Sequence, residues 1–329
     1  MLHTGWIQAF FPKEFIKMTK YKIIVNPTSG RGTAEEAVPD LERFLREHNM
    51  EFDLVLTERP EHAVELAKQA ALDGFDVVVV AGGDGTANEV INGLMLAKKA
   101  GAAGVAMGVI AIGRGNDFAF GVNVPPGLEE GCRVLVEDFR TSMDVGLVTG
   151  GLYPEGRYFG NGVGIGFDAV VGFEALKMTR LHGFLSYIVA AIKTIFLYYQ
   201  APLVRIEFDG QTTDKYTLMV SIMNGRRMGG GFMMAPEAGI DDGLLDLCIA
   251  EQVSKARIFA LIPRFMAGTQ ASQPSIQTGR TRSIVVTALE GSLPAHADGE
   301  TLCTEGQQLK MEILPRQIEI ICPQQDRNP

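Results

Sequence analysis

The sequence predicts two folded units, an α/β N-terminal domain with a parallel sheet and an all-β C-terminal sandwich domain with inserted helices. Three observations carry this. From residue 21 short apolar runs alternate with segments of helical periodicity. Around Met143-Asp144-Val145-Gly146 the texture turns to short alternating strands and glycine-rich turns, the mark of an antiparallel β domain. One long helical stretch, 173–199, interrupts that second part. A chain of 329 residues has room for two cores, and the boundaries expected are 1–19 for an N-terminal extension, 20–142, 143–322 and a 323–329 tail.

The elements follow in order. Residues 1–19 hold Trp6, Phe10, Phe11 and Phe15 around Pro12, and read as a short amphipathic anchor or, the favoured reading, as residues ahead of a start at Met18-Thr19-Lys20-Tyr21. Strand is expected over 21–25, 51–56, 76–81 and 105–111, and helix over 34–48, 61–73 and 87–100. The unbroken run Val77-Val78-Val79-Val80-Ala81 suits a strand covered on both faces. In the helix behind it Val90, Ile91, Leu94 and Met95 form one apolar face. In the second part strands are expected at 158–166, 203–209, 216–223, 244–250, 283–288 and 309–313. Leu176, Leu181, Phe184, Leu185, Ile188, Ile192, Ile195, Phe196 and Tyr199 follow a three-to-four rhythm, with Gly183 expected to divide that stretch into two helices.

Composition narrows the function. With 46% hydrophobic and 21% charged residues the chain is globular rather than disordered. A net charge of −9 argues against nucleic acid as the main partner. Cys132, Cys248, Cys303 and Cys322 stand apart without a CxxC pair, so neither a disulfide framework nor a zinc site is signalled and a reducing cytosol is expected. No stretch reaches the roughly 20 apolar residues that span a bilayer.

Chemistry concentrates in four turns. Gly82-Gly83-Asp84-Gly85-Thr86 lies between a buried strand and a helix, where glycines let the main chain approach an anion and the helix offers unpaired N–H groups; an adenine nucleotide is the natural occupant. Asn26-Pro27-Thr28-Ser29-Gly30 follows the first strand on the same edge of the sheet. Ile112-Gly113-Arg114-Gly115-Asn116-Asp117 follows the fourth, and Asp117 either joins Asp84 in facing magnesium or caps a short helix. Asp298-Gly299-Glu300 reads as a tight hairpin, or as the carboxylates that orient an alcohol and accept its proton from across a cleft.

In order, and with Asn88-Glu89-Val90-Ile91-Asn92-Gly93 and Asp241-Asp242-Gly243-Leu244-Leu245, these motifs resemble the diacylglycerol-kinase catalytic-domain family over about residues 21–321. These are bacterial soluble lipid kinases, with sphingosine and ceramide kinases as relatives. The resemblance implies an N-terminal domain like those of NAD kinase and phosphofructokinase that binds ATP, with the lipid entering between it and the sandwich. It implies that Asn26, Pro27, Thr28, Ser29, Gly30, Thr57, Gly82, Gly83, Asp84, Gly85, Thr86, Asn88 and Glu89 contact nucleotide. Asp298 and Glu300 would be the catalytic pair, with Asp84 and Asp117 organising Mg2+ and water. A structural metal is implied at Asp242 with the carbonyls of Gly239 and Leu244, where the residues alone read as a turn. Arg114 departs from the family's small or hydroxylated residue, and would either grip phosphate or crowd the pocket.

The expected function is transfer of the γ-phosphate of ATP to a lipid hydroxyl, diacylglycerol giving phosphatidic acid. The 173–199 stripe would wall the acyl cleft or pack as core, with Lys177, Arg180 and Lys193 either reaching head groups or solvated on the outer face. Arg226 and Arg227 read as a charged loop. A cytoplasmic protein on the inner face of the membrane is expected, with a homodimer through edge strands. The alternatives are a kinase of a soluble acceptor on the same fold and a non-catalytic nucleotide- or lipid-binding regulator. A dinucleotide oxidoreductase fits poorly, because Gly83-Asp84-Gly85-Thr86-Ala87-Asn88 lacks the last glycine of GxGxxG.

Overall fold

The computed structural model describes residues 18–102, 104–178, 183–197 and 201–324. The aromatic cluster of 1–17, Arg180, Leu181, Tyr199 and the tail from 325 lie outside them.

Strands covered on both faces build the first half. In chain order come β1 (Lys20–Val25), α1 (Thr33–Glu36), α2 (Val38–Glu47), β2 (Glu51–Leu56), α3 (His62–Leu72), β3 (Val77–Gly82), α4 (Asp84–Lys99), β4 (Ala106–Ala111), α5 (Asp117–Gly121) and α6 (Leu128–Glu137). The strands pair in parallel, β2-β1-β3-β4. Two helix pairs, α3 with α4 and α2 with α6, cover the sheet, and every residue of β3 is buried. The helix expected over 34–48 is divided at Ala37, because Pro39 sits in the first turn of α2, the position where a missing N–H costs nothing.

The second half contains β5 (Arg140–Gly150), β6 (Tyr153–Phe159), β7 (Gly162–Gly166), α7 (Phe167–Leu176), α8 (Gly183–Leu197), β8 (Leu203–Phe208), β9 (Gln211–Met223), β10 (Leu245–Glu251), α9 (Lys255–Ala267), β11 (Ile276–Thr281), β12 (Ser283–Glu290), β13 (Leu293–Ala297), β14 (Glu300–Gly306) and β15 (Gln308–Ile321). All its pairings with one another are antiparallel. Period-two alternation separates two cores. Val220 and Ile222 of β9 and Leu247 and Ile249 of β10 point into the sandwich, while Met219, Met223, Cys248 and Ala250 point out to α7, α8 and α9. The expected division of 173–199 at Gly183 is present, although α7 starts earlier, at Phe167. The four cysteines are free and buried.

β15 serves both halves. Its first part pairs with β12, and its last residues, Glu319 and Ile320, run parallel to β4. Pro315 and a left-handed Arg316 (φ 52°) mark the change of register between. Ile318, Ile320 and Ile321 are therefore buried in the core of the first half. Among the described residues no helix is long and apolar enough to cross a membrane.

Candidate active site

The turns after β1, β3 and β4 emerge at one edge of the parallel sheet, where open α/β sheets receive ligands. Two of them touch through glycine. A Cβ on Gly113 would stand 2.4 Å from the Cα of Gly83, so any side chain there forces the turns apart. Asn116, left-handed at φ 53°, staples the third turn by accepting the Gly113 N–H (2.7 Å) and donating back to its carbonyl (3.1 Å). Asn26 braces the first, accepting from the N–H and hydroxyl of Thr28 and donating to Thr86 Oγ1 (3.0 Å). α4 begins at Asp84, three residues before the expected 87, so Asp84-Gly85-Thr86 form its first turn and present their N–H groups as an anion site.

Asp84 and Asp117 meet beside Gly115, where a Cβ would lie 2.8 Å from one carboxylate and 3.2 Å from the other. Burial, and then the charge of Asp117, push the Asp84 carboxyl up to about 7. Asp84 Oδ1 accepts the Phe118 N–H at the start of α5 (2.9 Å). Asp117 is held from the opposite half by Arg227 Nε (2.8 Å) and the Gly230 N–H (3.0 Å), so Arg227, read from sequence as a charged loop residue, clamps the cleft. Arg226 and Arg227 both stack on Phe120, at 4.7 and 4.1 Å.

The second half contributes the β13–β14 hairpin, whose two-residue turn Asp298-Gly299 has φ of 48° and 90°, the primed geometry that Asp-Gly favours. Its flanking strands are 293–297 and 300–306 rather than the expected 283–288 and 309–313. Asp298 is buried and fully engaged. Its Oδ1 accepts from the N–H groups of Asn161 (3.0 Å) and Gly162 (2.8 Å), and its Oδ2 from the Gly160 N–H (2.7 Å) and Asn88 Nδ2 (3.0 Å). Those donors explain why the strand expected over 158–166 breaks between β6 and β7. Burial pushes the Asp298 carboxyl up, opposed by these four donors. Glu300 differs, because its side chain makes no hydrogen bond among the described residues and its Oε1 lies 2.7 Å from where a Cβ of Gly85 would stand.

One cleft of about 690 Å3 links these groups. Of the sequence-predicted residues, Asn26, Thr28, Ser29, Gly30, Gly83, Asp84, Gly85, Thr86, Glu89, Arg114, Asp117, Asp298 and Glu300 line it. Pro27, Thr57, Gly82 and Asn88 do not. Thr57 donates its N–H to Val25, and Asn88 is a buried bridge between the halves. Glu89 spends both oxygens on the N–H groups of Glu61 and Ala63 (3.0 Å each), capping α3. Sequence reasoning missed Asp168 and His296, which also line the cleft and lie over Gly164, within 2.8 and 2.7 Å of where its Cβ would be. Burial raises Asp168 to about 7 and lowers His296 to about 4. The signal available for Asp168 was an acid in the first turn of a helix behind a glycine-rich strand.

Among the described residues no group of three or more His, Cys, Asp or Glu stands at metal-holding spacing. The adjacent buried carboxylates of Asp84 and Asp117 nevertheless fit a magnesium ion that takes its other ligands from phosphate and water. At the other implied site, Asp242 Oδ1 accepts the Leu244 N–H (3.0 Å), Arg280 Nη1 lies 3.9 Å from Oδ2, and Gly239 is adjacent. An arginine facing this carboxylate is a poor fit for a metal there.

Glycine turns on a parallel sheet, facing a β-sandwich across an acidic cleft, define a two-part kinase. The family model for the diacylglycerol kinase catalytic domain matches residues 20–148, and the model for the YegS C-terminal NAD kinase beta sandwich-like domain matches residues 161–322. The chain belongs to the diacylglycerol kinase catalytic-domain family. It is 26% identical over 310 residues to a diacylglycerol kinase of Staphylococcus carnosus, covering 93% of this chain and 96% of that one. It is 29% identical over 280 residues to a diacylglycerol kinase of Staphylococcus aureus strain bovine RF122, covering 85% of each. The crystal structure of a diacylglycerol kinase from Bacillus anthracis str. Sterne shares the fold, with a TM-score of 0.71 at 22% identity over 93% of this chain and 98% of that one.

Proposed function

We propose that this protein is an ATP-dependent lipid kinase that moves the γ-phosphate of ATP to a lipid hydroxyl, with diacylglycerol, giving phosphatidic acid, as the acceptor. One observation carries the reading. The cleft that begins at the glycine turns continues without interruption into an apolar chamber between the outer face of the β9–β10 sheet and helices α7 to α9, lined by Phe167, Val171, Met219, Phe232, Leu261 and Phe265. A soluble, polar acceptor has no use for such a chamber.

In this reading the N–H groups of the first turn of α4 and the Thr28 loop bind phosphate, and Arg114 adds a cation from the third turn. Asp298, locked by four donors, fixes the hairpin so that Glu300 faces the Gly85 turn. Glu300 takes the proton of the acceptor hydroxyl as its oxygen bonds to the γ-phosphorus; the bond from that phosphorus to the bridging oxygen breaks, and ADP leaves. Asp84 and Asp117 would hold magnesium, which when bound neutralises charge on the phosphate oxygens.

We also propose that α8 and α9 meet the inner face of the membrane. Leu185, Ile192, Phe196, Phe259 and Met266 are exposed on these helices, and Lys255, Arg257 and Arg264 accompany them without a single acidic residue in either helix, while Lys193 of α8 pairs with Glu174 of α7. In a chain of net charge −9 that asymmetry favours an anionic surface. Among the described residues β11, β14 and β6 each pair with a single strand, and a homodimer would form through such an edge, which sedimentation checks.

Radiolabelled ATP offered with diacylglycerol, monoacylglycerol, phosphatidylglycerol and a sphingoid base in detergent tests the assignment. Label in phosphatidic acid is expected. Label in no lipid, with or without transfer to a soluble acceptor, overturns it.

A further inference from the structure

Arg157 in β6 is 3% exposed, yet it lies behind the acidic pair rather than in an ordinary core. Its Nε donates to Asn88 Oδ1 (2.8 Å), and Asn88 Nδ2 in turn donates to Asp298 Oδ2 (3.0 Å). Its Nη1 donates to Glu61 Oε1 (2.8 Å) and to the Tyr153 hydroxyl (3.0 Å), with the Tyr153 ring 4.9 Å beneath the guanidinium. Its Nη2 is buried and has no hydrogen-bond partner among the described residues. A buried donor left unpaired is costly, and an arginine kept only for packing is expected to have all its donors met.

The unmatched donor has an unmatched counterpart. Glu300 is partly buried, makes no hydrogen bond among the described residues, and is close enough for its charge to act on Arg157. Burial pushes the Glu300 carboxyl up, and so do the neighbouring carboxylates of Glu89, Glu61 and Asp298; the Arg157 charge is what opposes them.

We propose that Arg157 is a positioning residue for phosphoryl transfer: it fixes Asp298 through Asn88, and its Nη2 is the partner that Glu300 takes when the cleft holds its substrates. The inference rests on the reading of Glu300 as proton acceptor in a lipid kinase. Arg157 touches neither ATP nor lipid in this arrangement; it acts through the two carboxylates in front of it.

Two variants separate its contributions, R157Q, which keeps a polar group and removes the charge, and R157K, which keeps the charge and loses the fork. In R157Q kcat near pH 6 is expected to fall about 10²-fold while both KM values stay within about threefold, because a positioned proton acceptor is impaired rather than binding. The acidic limb of its kcat profile is expected to move about one unit alkaline, since removing a nearby cation raises a carboxyl pKa. R157K is expected to return that limb to the wild-type position. A loss equal at all pH values in both variants, or no loss in either, overturns the proposal. A second readout needs no turnover: the 13Cδ NMR titration of Glu300, assigned with E300Q, has a higher midpoint in R157Q than in wild type and an unchanged one in R157K. Should R157Q not fold, a raised midpoint in R157K alone overturns the proposal. Wild-type protein that labels no lipid brings down the kinase reading, while the Glu300 midpoints still decide the role of Arg157.

Discussion

The two acidic pairs on either side of the cleft solve different problems. Asp84, partly buried, and Asp117, buried, stand side by side on the turns of the parallel sheet and repel one another, so the pair favours whatever brings positive charge between them. Asp298 and Glu300 stand on one hairpin and divide their work. Every acceptor position of Asp298 is used by the protein, and among the described residues none of Glu300's is. Two carboxylates two residues apart thus become an anchor and, in the proposed reading, a base, through nothing more than the donors around them.

That contrast breaks most sharply at the anchor. Asp298→Ala leaves three buried N–H groups and an amide unpaired, and is expected to cost about 3 kcal/mol of stability along with roughly 10³-fold in turnover, read by denaturant melts and the lipid assay. Glu300→Gln removes the base without disturbing a hydrogen bond; turnover is expected to fall about 10²-fold with an unchanged melting temperature. Equal stability losses in the two variants would erase the distinction between anchor and base. On the apolar side, Gly172→Leu puts a side chain into the cleft 3.9 Å from the His296 ring, and is expected to raise the acceptor KM about 10-fold while leaving that of ATP alone. Replacing Phe196 and Phe259 by Ser is expected to lower sedimentation with anionic vesicles a few-fold, with activity in detergent preserved.

The smallest effect tests the paired carboxylates of the first half. A carboxyl raised from 3.8 to about 7 is protonated more readily in the folded chain than in the unfolded one, so the stability it provides is complete below about pH 4 and is lost as pH rises through about 7. Asp168, also raised to about 7, acts in the same direction. The protein without ligand is therefore expected to melt lower at pH 8 than at pH 5. Asp84→Asn, which retains an acceptor for the Phe118 N–H, is expected to recover about 5 °C at pH 8.

Much of this was legible in the residues. Unbroken apolar strands, glycine turns behind them and the Asp-Gly hairpin are local signals, and the first half forms where they predict. The elements that escaped have conflicting local signals. In α9 the apolar rhythm of Ile258, Leu261 and Phe265, the Ser254 cap and the left-handed Gly268 end all read as helix, but Pro263 inside it argues the opposite until packing overrules it. The family resemblance implied nucleotide contacts at Asn88 and Glu89. Their side chains bridge to β6 and cap α3, partners 70 and 28 residues away that no local pattern reveals. Arg157, Asp168 and His296 were silent for the same reason, since the burial that makes them unusual exists only after the halves close.

The shared last strand has a bearing on how the molecule is made. The parallel sheet is synthesised first, yet its core stays open beside β4 until residues 318–321 arrive from the far side of the sandwich. On the ribosome, where chains grow at about 5–20 residues per second, the strand that closes this side of the first core is among the last parts of the chain to emerge.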